Sequence, residues 1–102
     1  MSRGDIYDAE LPGRSHPAVI VTRDQAIPLL RNVCVVAATT NIRDLPTEVP
    51  LGPAHGLARD CVASCDNLFT IPKGALAHRR GSLDPEELRR LNSALRIALE
   101  LD

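Results

Sequence analysis

The chain has 102 residues, of which 44% are hydrophobic and 25% charged, with a formal net charge of −1. That length suits one domain, residues 1–102, with a thin core that dimerisation would help. The balanced charge argues against a global field for nucleic acid, the absence of a long apolar run argues against a membrane span, and 2% aromatics argue against a single-strand binder built on stacking platforms. Cys34, Cys61 and Cys65 are an odd set behind a polar N-terminus with no secretion signal, which points to the cytoplasm and away from a disulfide framework. Lys73 is the only lysine; the other basic residues are arginines, which grip phosphate bidentately where they cluster.

In chain order, Asp5–Ala9 reads as a short strand, and Glu10 to Pro17, holding Pro12-Gly13 around Arg14-Ser15-His16, reads as a loop. Ala18–Thr22 is a β-branched run and a buried strand. Arg23 to Asn32 is a connection with room for one helical turn. Val33-Cys34-Val35-Val36-Ala37-Ala38-Thr39-Thr40 is an apolar run, the signature of a strand buried on both faces, and it ends abruptly in two hydroxyls, an amide and an arginine at Asn41-Ile42-Arg43. Such a tip faces solvent and offers hydrogen bonds to a phosphate or sugar. Glu48–Leu51 is a fourth strand, placed at an edge by Pro50. Asp60–Asp66 is a fifth, which Leu68–Ile71 either continues or follows as a separate strand.

Pro72–Leu76 reads as a turn or short helix, and Arg79–Leu83 carries the chain into the last element. That element is a helix: Asp84 precedes Pro85 as N-cap and first helical residue, and Glu86 and Glu87 sit in the first turn where the dipole favours acids. Leu88, Leu91, Leu95, Ala98 and Leu99 share one face, with Arg89, Arg90 and Arg96 mostly opposite. The expected class is mainly β (α+β), a small barrel-like sheet with one packed helix.

Gly4-Asp5-Ile6-Tyr7, Pro17–Thr22, Thr39-Thr40 with Pro46-Thr47-Glu48-Val49, Cys65-Asp66-Asn67 with Thr70-Ile71, and Gly81 before the terminal helix resemble, in their order, the MazF/PemK-type toxins. The resemblance covers nearly the whole chain. It implies an SH3-like small β-barrel of the PemK/CcdB-toxin type with a C-terminal helix, assembled as a homodimer. It also implies a sequence-specific endoribonuclease of a toxin–antitoxin pair, needing no metal or other cofactor. Such an enzyme cleaves single-stranded mRNA through the substrate's own 2′-hydroxyl, leaving a cyclic phosphate and a 5′-hydroxyl, and a cognate antitoxin protein blocks it.

This reaction needs a base, an acid and donors to the phosphorane, which the resemblance assigns among Arg14, His16, Thr40 and Asp66. Members of the family place an arginine directly before the proline of the second strand, where this chain has His16, with Arg14 two residues earlier. Two assignments stay open. In the preferred one Arg14 stabilises the phosphorane and His16 is base or acid, because histidine titrates near neutrality and arginine stays protonated. In the other, His16 alone replaces the arginine. Thr40 matches the hydroxyl that bonds the scissile phosphate, whereas Thr39 is expected to point to the opposite face. Asp66 matches a catalytic acid of some members but has Ser64 where they carry an arginine; turn stabilisation is its other reading. Ser15, Arg23, Thr39, Asn41 and Arg43 are the candidate RNA contacts. Cys61 and Cys65 near His55 lack the second ligand pair of a zinc site and read as small apolar residues. Two alternatives remain: a gyrase-binding toxin of the same fold, disfavoured because the chain has no Trp, and a degenerate RNA- or antitoxin-binding module.

Overall fold

The computed structural model describes residues 1–102. Six strands, β1 (Asp5–Leu11), β2 (Arg14–Ile20), β3 (Asn32–Thr39), β4 (Glu48–Leu51), β5 (Cys61–Pro72) and β6 (Leu76–Ser82), precede the helix α1 (Pro85–Ala98). They form one antiparallel, curled sheet in the order β4-β5-β3-β2-β1-β6. The fold is mainly β, as expected, and β4 with its Pro50 is an edge strand.

The apolar runs of β2 and β3 explain the architecture. Val33, Val35 and Ala37 join Ala18, Ile20 and Ile71 in one apolar cluster, while Val36 and Ala38 join Val19, Ile6, Val49 and Leu91 in another. Alternate residues thus feed opposite faces of one sheet, and both faces must be covered. The helix covers one face, packing Leu91 and Ala94 against β4 and β5. The curl of the sheet closes the other. Each Val or Ile sealed this way contributes roughly 1.5–3 kcal/mol.

β5 is long enough to serve both faces because it is broken by a bulge. Val36 pairs with Leu68 and Ala37 with Ser64, so Cys65, Asp66 and Asn67 have no counterpart on β3. The helix starts as the sequence dictates: Asp84 accepts from Glu87 N at 2.7 Å and Glu87 Oε1 accepts from Asp84 N at 3.0 Å, a capping box. It ends at Ala98, so Leu99, expected on the buried face, is exposed.

Three local readings are corrected. The segment Glu10–Pro17 is no loop: β1 runs on to Leu11, β2 starts at Arg14, and only Pro12-Gly13 turns between them. Proline followed by a glycine at φ +92° is the residue pattern of a type II turn, so the hairpin is tight despite its polar sequence. Arg79–Leu83 is not a passage to the helix but mostly strand, since β1 needs a partner on its free side and β6 supplies it. The strand expected to reach Thr22 ends at Ile20; residues 23–31, read as a connection with room for one helical turn, make hydrogen-bonded turns.

Cys65 is 1% exposed, and burial, reinforced by the charge of Asp66, pushes its thiol from 9.0 up to about 11. The folded state therefore holds this proton more tightly than the unfolded chain does. That contribution, roughly 2–3 kcal/mol, is full below pH 9 and is lost as pH rises through 11. Urea midpoints should fall across that window, and the fall should be shallower in Cys65→Ala.

Candidate active site

Pairing between β2 and β3 stops at Ala18↔Ala37. Beyond it the strands part, leaving Arg14–Pro17 of β2 and Ala38–Thr40 at the end of β3 as two walls of a hollow of about 370 Å³. Leu57, Ala58 and Arg59 of the β4–β5 connection, with Cys61, line it further, and Asp8 of β1 and Arg80 of β6 complete it. Four of the predicted residues, Arg14, Ser15, His16 and Thr40, line this hollow together.

Thr39 meets them too, against the expectation from strand alternation. The regular strand ends at Thr39, and Thr40 lies in the bend that follows. In the gap between parted strands, side chains of either parity reach the same space. Thr39 Oγ1 accepts from Asn41 N at 3.1 Å, fixing the start of the loop.

The shift of the arginine from the family position acquires a structural meaning. Residues two apart on a strand point the same way. Arg14 Nε donates to His16 Nε2 at 2.8 Å. This bond assigns the imidazole proton to Nδ1 and leaves His16 neutral, with its Nε2 lone pair held by a cation.

Asp66 does not join this group. It is exposed on the β5 bulge, where Oδ2 accepts from Thr47 Oγ1 at 2.6 Å, and it lines a neighbouring hollow with Asn41, Arg43, Glu48, Ser64 and Asn67. Only Thr39 borders both hollows. Turned so that its amide oxygen faces Arg43, Asn41 accepts from Arg43 Nε and Nη2, both at 3.3 Å. Arg23 lines neither hollow; it is exposed in the β2–β3 connection, where its carbonyl accepts from Ala26 N at 3.0 Å.

Sequence reasoning missed Asp8, Arg59 and Arg80. Arg80 Nη2 lies 2.9 Å from Asp8 Oδ2, and its Nε donates to both carboxylate oxygens at 3.1 Å. These hydrogen bonds and the charge of Asp8 hold the Arg80 guanidinium above its ordinary pKa. The one available signal was Gly81 after a pair of arginines, since an isolated glycine in a strand marks a bulge. At the floor, burial and the charge of Asp60 push the Cys61 thiol up, so it stays neutral and is no nucleophile. His55 has other work: Nδ1 accepts from Gly52 N at 3.2 Å and Nε2 donates to Glu87 Oε2 at 2.6 Å, tying the wall loop to α1.

With this geometry in place, comparison with known proteins is decisive. A family model described as the PemK-like, MazF-like toxin of type II toxin–antitoxin systems matches residues 2–99. The chain belongs to this family. Endoribonuclease MazF3 of Mycobacterium tuberculosis is 39% identical over 97 residues, covering 95% of this chain and 93% of its own. The solved Mycobacterium tuberculosis toxin MazF-mt6 matches with a TM-score of 0.91 at 39% identity, covering 96% of this chain and 98% of that one. An endoribonuclease from a mycobacterial species, solved in complex with its cognate antitoxin, matches with a TM-score of 0.89 at 31% identity over 100% of this chain and 97% of that one.

Within this MazF-like chain the loop behind Thr40 is held from below. Glu48, 4% exposed, accepts from Arg43 N at 3.2 and 3.3 Å and from Leu45 N at 3.3 Å. Glu48→Ala removes the acceptor these backbone donors share and should cost about 1–2 kcal/mol in chemical denaturation, whereas Glu48→Gln keeps an acceptor and should cost less than half of that.

Proposed function

We propose that this chain, a single toxin domain over residues 1–102, cuts single-stranded mRNA at specific sequences without a metal. The substrate's own 2′-hydroxyl attacks, leaving a 2′,3′-cyclic phosphate and a 5′-hydroxyl. The coarser statement is already secure: as a member of the MazF-like family the chain is an endoribonuclease toxin. The observation that carries the finer reading is the Arg14–His16 hydrogen bond in a hollow shared with Thr40.

The chemistry follows from that bond. A phosphate entering between the strands is a better partner for Arg14 than a neutral imidazole, because both donor and acceptor are then charged. As Arg14 turns to the phosphate, Nε2 of His16 is released and becomes free to take the 2′-hydroxyl proton, and solvent water in the open hollow protonates the leaving 5′-oxygen. Arg14 then supplies the fixed positive charge that the phosphorane requires. Thr40 donates to a non-bridging oxygen rather than attacking, since no hydrogen bond joins its hydroxyl to His16, whose Nε2 is taken by Arg14. Asp66, engaged by Thr47 in the neighbouring hollow, fits a role in binding the flanking chain and supporting the bulge better than proton transfer.

Asn41 and Arg43 suit base edges of the same strand, with Ser15 and Thr39 bonding its backbone and Arg23 contributing at most long-range attraction. The reading includes a cytoplasmic homodimer held in check by a cognate antitoxin. Exposed Leu29, Leu30, Ile97 and Leu101 offer apolar surface for such partners, and no helix is long and apolar enough to cross a membrane.

Sequencing of RNA ends after incubation with purified protein in EDTA tests the proposal. Discrete cuts bearing 5′-hydroxyl and cyclic phosphate ends are expected. Thr40→Ala should slow cutting roughly 10- to 100-fold and His16→Ala roughly 100-fold or more. Undiminished cutting by both variants rejects the site; a metal requirement or 5′-phosphate ends reject the mechanism.

A further inference from the structure

Arg80 reaches the hollow through a defect in the sheet. Ile6 pairs with Gly81 and Tyr7 with Arg79, so Arg80 is the extra residue of a β-bulge. Bulges re-aim side chains, and they recur beside active sites. This one is buttressed. A Cβ on Gly56, which has φ +79°, would lie 2.1 Å from the Arg80 carbonyl oxygen, and a Cβ on Gly81 would lie 2.6 Å from that of His55. Only glycines at both places let the Pro53–His55 turn press against the bulge, and the His55–Glu87 bond anchors that turn to α1.

The guanidinium is held on one edge only. Asp8 takes Nε and one side of Nη2, leaving both hydrogens of Nη1 and the second of Nη2 uncommitted. The Asp8 side chain is recessed at 19% exposure and Arg80 stands proud at 46%, so an approaching anion meets the cation first. The uncommitted edge is the fork that matches two oxygens of a phosphodiester.

We propose that Arg80 is a further substrate-binding residue: its free edge takes a phosphodiester neighbouring the scissile one, and Asp8 is the positioning residue that fixes it there. This inference rests on the endoribonuclease reading above. Arg14, His16 and Thr40 serve the bond that breaks, and Arg80 sets the register of the strand along the hollow. Asp8 acts only through Arg80.

The test uses an RNA oligonucleotide spanning a mapped cut, and its uncleavable analogue with 2′-deoxyribose at the cut nucleotide. Arg80→Ala should raise KM about tenfold with kcat within twofold, and Arg80→Lys, lacking the fork, should recover little. The slope of log affinity for the analogue against log salt should fall by about 0.7, one single-strand phosphate contact. Asp8→Ala should raise KM about threefold alone and not at all in the Arg80→Ala background. Methylphosphonate placed at one phosphodiester beside the cut should abolish the Arg80→Ala effect at that position alone.

A lower KM in Asp8→Ala would make Asp8 a competitor and overturn the proposal. So would a fall in kcat at constant KM in Arg80→Ala, or an Arg80→Ala effect that survives methylphosphonate at every position. If the wild-type protein cuts no RNA, the endoribonuclease reading fails by itself, and the salt slope for a mixed-sequence single-stranded RNA oligonucleotide, wild type against Arg80→Ala, then decides whether Arg80 holds a phosphate.

Discussion

The pairing of β2 with β3 through Ala18↔Ala37, Val19↔Val36 and Ile20↔Val35 joins the two apolar clusters across a single layer of backbone. Buried on both faces, these residues cannot shift register by one position without exchanging their entire apolar sets, so the register is fixed. The same burial determines where the pairing ends. Past Ala37 the buried Ala38, paired with β5, is the last apolar residue before Thr39, Thr40 and Asn41, and past Ala18 toward the N-terminus come Pro17, His16 and Ser15. With so little apolar content left to seal between them and a proline that cannot donate to a ladder, the strands separate and a polar hollow opens between their ends.

Within that hollow the charges are arranged in pairs that a polyanion can rearrange. Arg14 rests on a neutral histidine, a weak partner that a phosphate displaces, and Arg80 rests on a carboxylate that uses one edge of its fork. Cations held in place before the substrate arrives cost little reorganisation when charge develops in the transition state. The two arrangements differ in consequence: releasing Arg14 frees a base, whereas retaining the Asp8 contact keeps Arg80 aimed. The neutral thiol of Cys61 beneath them adds no competing nucleophile.

The loops around the hollow are long in sequence yet tied at several points. Glu48 gathers the backbone of Arg43 and Leu45, Thr47 bonds Asp66 on the β5 bulge, and His55 links the β4–β5 connection to the first turn of α1 through Glu87. Glu87 thereby serves twice, capping the helix with one oxygen and holding the loop with the other. The helix is thus more than a cover for Leu91 and Ala94: through His55 its capping box bears on the bulge that carries Arg80. Ordering these segments in the free protein leaves less conformational entropy to lose on binding.

What could be read directly were the features that depend on neighbours in sequence. The apolar run at residues 33–40 gave the doubly buried strand, Asp84-Pro85-Glu86-Glu87 gave the start of the helix, and Pro50 gave the edge, whereas Arg14 and His16 read as loop residues until strand pairing set them on one face. The polar character of Glu10–Pro17 concealed a hairpin, because strand pairing there is satisfied by β1 rather than by apolar burial. Thr39 and Thr40 were separated on paper by an alternation that holds only while a strand remains paired. Asp66 was grouped with the catalytic residues, and the β5 bulge moves it next door.

Arg80 and Asp8 lie 72 residues apart and meet only because β6 pairs with β1 through an offset register. Sequence alone determined which segments had to be buried and which chemistry stood at their ends, since both follow from side-chain type and local period. Tertiary structure decided which ends face one another, because bulges and the parting of strands are set by long-range packing that no local pattern records.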